Sequence, residues 1–397
     1  MTLANGREVL SIPGPTTIPD RVLSAMHRPA IDIYAGDLLD TTRDCLDGLK
    51  QVFGTQGHSY IYAANGHGAW EAALTNVLSR GDRVLALLSG RFAVGWGEMG
   101  HLLGLEVEIL PQSWRLPVDP AALEERLRAD REHQIKAVLV VQIDTASGVV
   151  NDIPAIRKAI DAAGHPALFM VDTIASLGTM PFQMDEWGID VALSGSQKGL
   201  MTPPGLGFVA HNDRAFAVHQ KADLRTRYWD WTERHGPQHY QKYCGTPPEH
   251  LLFGLREALS MLFEEGLDAV FRRHRLLAEA TRAAVDVWSR GGALDFNVSD
   301  PQARANSVTC VLMQDGYTPE PALEFCKRHC GVVVGVGIGE LSGKALRLAH
   351  MGHANAPMVL GTLSAVEMAL QALRIPHESG GVQAAIDHLA TSLATSA

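Results

Sequence analysis

Short apolar runs alternate with helical patterns along residues 19 to about 270. Residues 83–88, 107–110, 137–141, 167–171 and 207–210 are nearly continuous apolar stretches of strand length, the signature of strands buried on both faces. Residues 70–78 follow the run Tyr60-Ile61-Tyr62 and carry apolar positions at helical spacing. Strands alternating with helices predict βαβ units, a mostly parallel sheet covered on both sides, and ligands beyond the carboxyl ends of the strands. Residues 255–290 form one long helical pattern, suited to a helix that leads into a smaller domain. The remainder reads as strand 307–313, helix 319–329, strands 332–336 and 346–350, and helix 356–373, the order of a compact α+β unit.

The punctuated start, Ile12-Pro13-Gly14-Pro15-Thr16-Thr17, is too rich in proline and glycine for a regular element. Three parts follow: an N-terminal segment 1–18, a large domain 19–270 and a small C-terminal domain 271–397. Residues 225–237, aromatic and charged without periodicity, read as a loop along a cleft or a subunit interface. The length of 397 residues, with 46% apolar and 20% charged positions, suits an ordinary globular chain of this size. A net charge of −10 argues against nucleic acid or an anionic membrane as the main partner.

No apolar stretch reaches membrane-helix length. The N-terminus lacks a signal-peptide pattern, and Thr395-Ser396-Ala397 is no receptor-read address. The five cysteines, Cys45, Cys244, Cys310, Cys326 and Cys330, are too thinly spread for a disulfide framework and point to a reducing cytoplasm. Cys326 and Cys330 would share a helical face around His329, but two thiols do not make a zinc site. They read as packing residues, and no metal is expected.

Asp172 closes the apolar run 167–171, which puts a carboxylate at the carboxyl end of a buried strand. A second short strand, 190–194, delivers Lys198 into a loop rich in glycine and proline. An acid for a pyridine nitrogen and a lysine to bond an aldehyde are the two protein groups that pyridoxal phosphate requires. Asn65-Gly66-His67 opens the helical pattern at 70–78, and free backbone N–H groups at a helix start suit a phosphate.

With these parts together, the chain resembles the class V group of fold-type I pyridoxal-phosphate-dependent aminotransferases, within it the alanine/serine–glyoxylate aminotransferases. The motifs run through residues 9 to 375 in family order. Pro13-Gly14-Pro15-Thr16 resembles the segment that borders the substrate, which implies roles for Gly14 and Pro15. Asn65-Gly66-His67 resembles the phosphate turn. Ser89-Gly90-Arg91-Phe92 would set Phe92 against the pyridine ring. Asp144-Thr145-Ala146-Ser147-Gly148-Val149 would bring Thr145 near the ring hydroxyl. Asp172 and Ser194-Gly195-Ser196-Gln197-Lys198 match the ring-nitrogen acid and the aldehyde-binding lysine, with Ser196 and Gln197 beside the cofactor. Tyr243 and Thr246 would reach the phosphate of a second subunit, which implies a homodimer with shared active sites. Arg347 would grip the substrate carboxylate, as a planar guanidinium does through two parallel hydrogen bonds.

The resemblance implies an α/β fold with a large, mostly parallel, seven-stranded-type sheet and a smaller α+β domain. It implies ping-pong transfer of an amino group from serine, alanine or a similar small L-amino acid to a 2-oxo acid, foremost glyoxylate. Departures fall around the substrate: Cys244 and Gly245 replace frequent histidines, and Glu249 replaces a small apolar residue. Thr17 stands where asparagine is usual, and Ile33-Tyr34-Ala35-Gly36 replaces His-Arg-Ser-Pro. Glu249 and Tyr228-Trp229-Asp230-Trp231 are therefore candidates for donor selection. Pyridoxamine–pyruvate aminotransferase and cysteine desulfurase, with Cys326 or Cys330 as the sulfur carrier, are the neighbouring alternatives. A nicotinamide-dependent oxidoreductase, prompted by Gly335-Val336-Gly337-Ile338-Gly339, is the alternative from another class. Its spacing lacks the final glycine of a dinucleotide turn.

Overall fold

The computed structural model describes residues 2–394, so Thr395-Ser396-Ala397 lies outside the described residues. The apolar runs form a seven-stranded sheet. Its spatial order is His58–Ala63, Leu206–His211, Val191–Gly195, Leu168–Asp172, Ile135–Val141, Arg83–Leu87, Glu106–Leu110. Neighbours are parallel except at Leu206–His211, which runs antiparallel to both strands beside it. Every position of Leu168–Asp172, Val191–Gly195 and Leu206–His211 is buried.

Alternation along a strand sends side chains to opposite faces, and both faces here meet apolar layers. Phe169 and Val171 join a core with Leu49, Phe53, Leu255 and Leu259. Leu168 and Met170 join another with Trp70, Leu74 and Trp96. Double coverage explains why these strands read as continuous apolar runs rather than alternating ones.

A second sheet has the order Val9–Ser11, Val332–Val336, Ala345–Ala349, Val308–Met313, Leu294–Phe296. Its core draws on Leu277, Trp288, Val311, Leu346 and Leu363. Three sequence expectations change. Val9–Ser11, for which the pattern gave no element, forms a strand parallel to Val332–Val336, because a distant edge supplies the hydrogen-bond partners that local propensity cannot. The single helix expected over 255–290 is two, Glu249–Glu265 and Leu267–Ser289, broken at Gly266 with φ 84°. The helix expected at 319–329 is α-helical over Glu320–Phe325 and then widens into a π turn, Cys326–Cys330.

Two further elements bear on function. Gly335–Gly339 leads back through a short 3₁₀ turn, Gly339–Leu341, into the neighbouring strand Ala345–Ala349. No long helix follows it, so it is not a dinucleotide-binding turn. In the segment expected to be a loop, Trp231 is buried in a short helix, Trp231–Arg234. Arg234 is buried beside it, bonded to the Tyr228, Ile61 and Lys242 carbonyls. Among the described residues, no helix is long and apolar enough to cross a membrane.

Candidate active site

A cavity of about 280 Å³ opens at the carboxyl end of the large sheet. It is lined by Gly14, Pro15, Asn65, Gly66, His67, Phe92, Thr145, Asp172, Gln197 and Lys198. These ten residues lie up to 184 positions apart in sequence, from Gly14 to Lys198, and the topology brings them to one place. A larger cavity of about 550 Å³ lies elsewhere, between Thr42, Tyr60, His239 and Tyr243.

Asp172 ends its strand 2% exposed. Its Oδ2 accepts from the Trp70 indole Nε1 at 2.6 Å, and its Oδ1 accepts from the Ile174 N–H at 2.6 Å. Burial pushes its pKa up to about 7, against the pull of the Ile174 N–H, the Trp70 indole and the Lys198 charge. The carboxylate is thus short of water and held by two donors, poised to gain from a third, positively charged partner.

Lys198 is 8% exposed. Burial, and then the Arg347 charge, push its pKa down to about 8, while Asp172 and Asp144 pull the other way. Its Nζ donates to the Pro13 carbonyl. The N-terminal segment crosses directly over it: a Cβ on Gly14 would stand 2.6 Å from the lysine Cε, and a φ of 92° at Gly14 further favours glycine. Thr16 fastens the crossing, its hydroxyl donating to the Lys198 carbonyl at 3.0 Å and its N–H to the Gln197 carbonyl at 3.1 Å.

The helix Gly66–Val77 begins at the opposite wall. The Asn65 side chain caps it, accepting from the His67 and Gly68 N–H groups at 3.1 and 3.3 Å. Gly66 packs against Ile174, where a Cβ would come within 2.4 Å. Gln197 Oε1 is buried without a hydrogen-bond partner, so this wall leaves polar capacity for a ligand to use. Phe92 is oriented by Asp144, whose Oδ2 accepts from the Phe92 and Ala93 N–H groups at 2.8 and 3.1 Å. Arg347 adjoins the cavity through Thr145: its Nη1 donates to the Thr145 carbonyl at 2.9 Å and its Nε to the Val336 carbonyl at 2.6 Å.

Three expected residues are not brought to this cavity. Ser196 serves the loop, donating to the Pro203 carbonyl at 2.7 Å and accepting from the Leu206 N–H. Tyr243 is buried in the larger cavity with its hydroxyl on Thr42 at 2.8 Å, and Thr246 is exposed. Glu249 is also remote, holding the Ile31 N–H at 3.2 Å. Neither Cys326 nor Cys330 lines the cavity, and Cys326 lies in the core of the second sheet. Sequence reasoning missed Trp70 and the anchoring role of Thr16. A tryptophan one turn into a helix of small residues, Gly66-His67-Gly68-Ala69, was the available signal for the first.

The fold and this cavity define a protein of the fold-type I class, whose members use pyridoxal phosphate. Residues 13–351 match the family model Aminotransferase class-V, and the chain belongs to that family: it is an aminotransferase. It is 42% identical to a serine–glyoxylate aminotransferase of Methylorubrum extorquens, over 92% of this chain and 91% of that one. It is 37% identical to an L-aspartate–glyoxylate aminotransferase of Paracoccus denitrificans, over 95% of each. The crystal structure of pyridoxamine–pyruvate aminotransferase from Mesorhizobium loti superposes with a TM-score of 0.88 at 26% identity, covering 99% of this chain and 100% of that one.

Proposed function

We propose that the chain moves the amino group of a small neutral L-amino acid, serine or alanine, to glyoxylate, with pyridoxal phosphate held between Asp172 and Lys198. The observation that carries this reading is the single cavity shared by a buried carboxylate and a buried amine of depressed pKa. The residues present fit the cofactor: the start of the helix Gly66–Val77 for the phosphate, Phe92 for the ring, Asp172 for the ring nitrogen, and the unpartnered Gln197 Oε1 as an acceptor for a ligand donor. When bound, pyridoxal phosphate supplies a carbonyl that exchanges amines and a ring that takes up the electron pair released at the α-carbon.

The chain supplies the rest. Asp172 holds a proton on the ring nitrogen, an arrangement favoured because its own charge is otherwise poorly solvated. Lys198 Nζ would leave the Pro13 carbonyl to hold the aldehyde and, once the substrate amine has displaced it, would be free to carry the α-proton. Arg347 orients the α-carboxylate of both substrates, its Nε and Nη1 fixed on carbonyls and its Nη2 left for the ligand. Thr246, exposed at the surface, would meet the phosphate site of a second chain in a homodimer. Tyr243 would have to exchange its Thr42 partner to do the same.

The donor choice rests on charge. Lys198 is the one cationic lysine or arginine among the residues lining the cavity, and Arg347 at its edge is committed to the α-carboxylate. A second carboxylate on the donor would enter without a partner, which buried sites penalise strongly. In a half-reaction screen of the cofactor-loaded protein, serine and alanine should bleach the visible absorbance at least about tenfold more efficiently than aspartate. Equal efficiency for aspartate overturns the neutral-donor assignment.

A further inference from the structure

Trp70 occupies a position that a packing residue does not need. Its indole lies 1% exposed at the cavity wall, 4.5 Å from the His67 ring and 6.3 Å from the Phe92 and Trp96 rings. Its Nε1–H has one partner, Oδ2 of Asp172 at 2.6 Å. Leucine or phenylalanine would fill this helix face as well, but would leave Oδ2 of Asp172 without its donor. Trp96, packed in the same core, buries its indole nitrogen without any partner. The Trp70 bond therefore singles out one indole that is aimed at the one carboxylate facing the cofactor.

We propose that Trp70 is a positioning residue for Asp172, holding the carboxylate ionised and turned toward the ring nitrogen; this rests on the reading of the cavity given above. Two short donors, one backbone and one side chain, sit on separate oxygens of Asp172. The Ile174 N–H belongs to the turn after the strand and cannot be removed without refolding it. The indole is the adjustable half. Its donation opposes the burial that drives Asp172 toward neutrality, and it fixes the rotation of the carboxyl plane about its terminal bond. Because the same tryptophan packs against the His67 ring at the helix start, the two rings inclined at 58°, the ring-nitrogen end and the phosphate end of the cavity share one rigid part.

The test is a double-mutant cycle on the full chain, read as the dissociation constant of pyridoxal phosphate by absorbance titration. Trp70→Phe removes the donor and keeps a ring; losing a hydrogen bond to a charged group should weaken cofactor binding by about tenfold or more. In an Asp172→Ala background the same replacement should change the constant by less than about twofold, because there is no carboxylate left to hold. An equal loss in both backgrounds would mean that Trp70 only packs, and the proposal is then wrong. Trp70→Leu takes the place of Trp70→Phe, with the same two outcomes, should the phenylalanine variant not accumulate. Failure of the broader reading looks different: Asp172→Ala would then bind the cofactor as tightly as the unaltered chain.

Discussion

In the proposed role Lys198 has to give up its proton before it attacks an aldehyde, and its surroundings favour that near neutrality. Burial and the Arg347 charge bring its pKa from 10.5 down to about 8. The neutral amine becomes the main form above that pH. Capture of pyridoxal phosphate by cofactor-free protein should accelerate from pH 6 to pH 8 and level off above, whereas a lysine of ordinary pKa would keep accelerating toward pH 10. Stopped-flow absorbance distinguishes the two, and Lys198→Ala should show no covalent capture at any pH. Lys198 and Asp172 were legible in the sequence because strand ends and loop residues carry their chemistry openly. Trp70 was not, because its role depends on which carboxylate its indole meets across 102 positions.

At the scale of elements, Glu367 is the one charged residue of the helix Ala356–Ala372. It accepts from the Gly380 and Val382 N–H groups at 2.7 and 2.8 Å and from the Trp288 indole at 3.1 Å. One carboxylate thus ties the start of the helix Gly381–Ala394 and the end of the helix Leu267–Ser289 to a third. Burial opposes its charge, but the two N–H groups and the indole outweigh that and hold its pKa below the usual carboxylate range. Glu367→Ala removes the acceptor of three donors, of which the Trp288 indole is fully buried, and should cost about 1–3 kcal/mol in denaturant unfolding, with kcat and KM unchanged. The periodicity revealed most of these helices, since apolar spacing is local information. It missed the break at Gly266, where one residue with a positive φ interrupts a pattern that continues on both sides.

For the whole molecule, buried histidines set the response to acid. His274 accepts from the Gly352 N–H at Nε2 and donates from Nδ1 to the Val270 carbonyl, so it is neutral. Burial pushes His274 down to about 4, and His211 and His350 down to about 3. Unfolded, each has an ordinary value of about 6.5. As pH falls below 6.5 the unfolded chain binds protons that the folded chain refuses, so these three groups remove stability between pH 6.5 and 4. Asp172 acts in the opposite sense between pH 7 and 3.8, because its pKa is raised on folding. Asp144, also raised by burial, adds to Asp172, but with nine histidines lowered on folding the balance predicts a melting temperature that falls steadily from pH 6.5 to 4. A flat profile in differential scanning calorimetry would show that the histidines titrate freely in the folded state.

Apolar runs and their spacing determined, without any coordinates, that a doubly covered parallel sheet forms and that Asp172 and Lys198 leave its carboxyl edge. Those features are local: strand alternation, glycine-rich turns and chain punctuation act over a few residues. Tertiary structure alone decided that Val9–Ser11 becomes a strand, that Pro13–Thr16 crosses over Lys198, and that Trp70 reaches Asp172. Each of these contacts joins groups far apart along the chain, and their energies arise only once the intervening polymer has folded to bring the partners together.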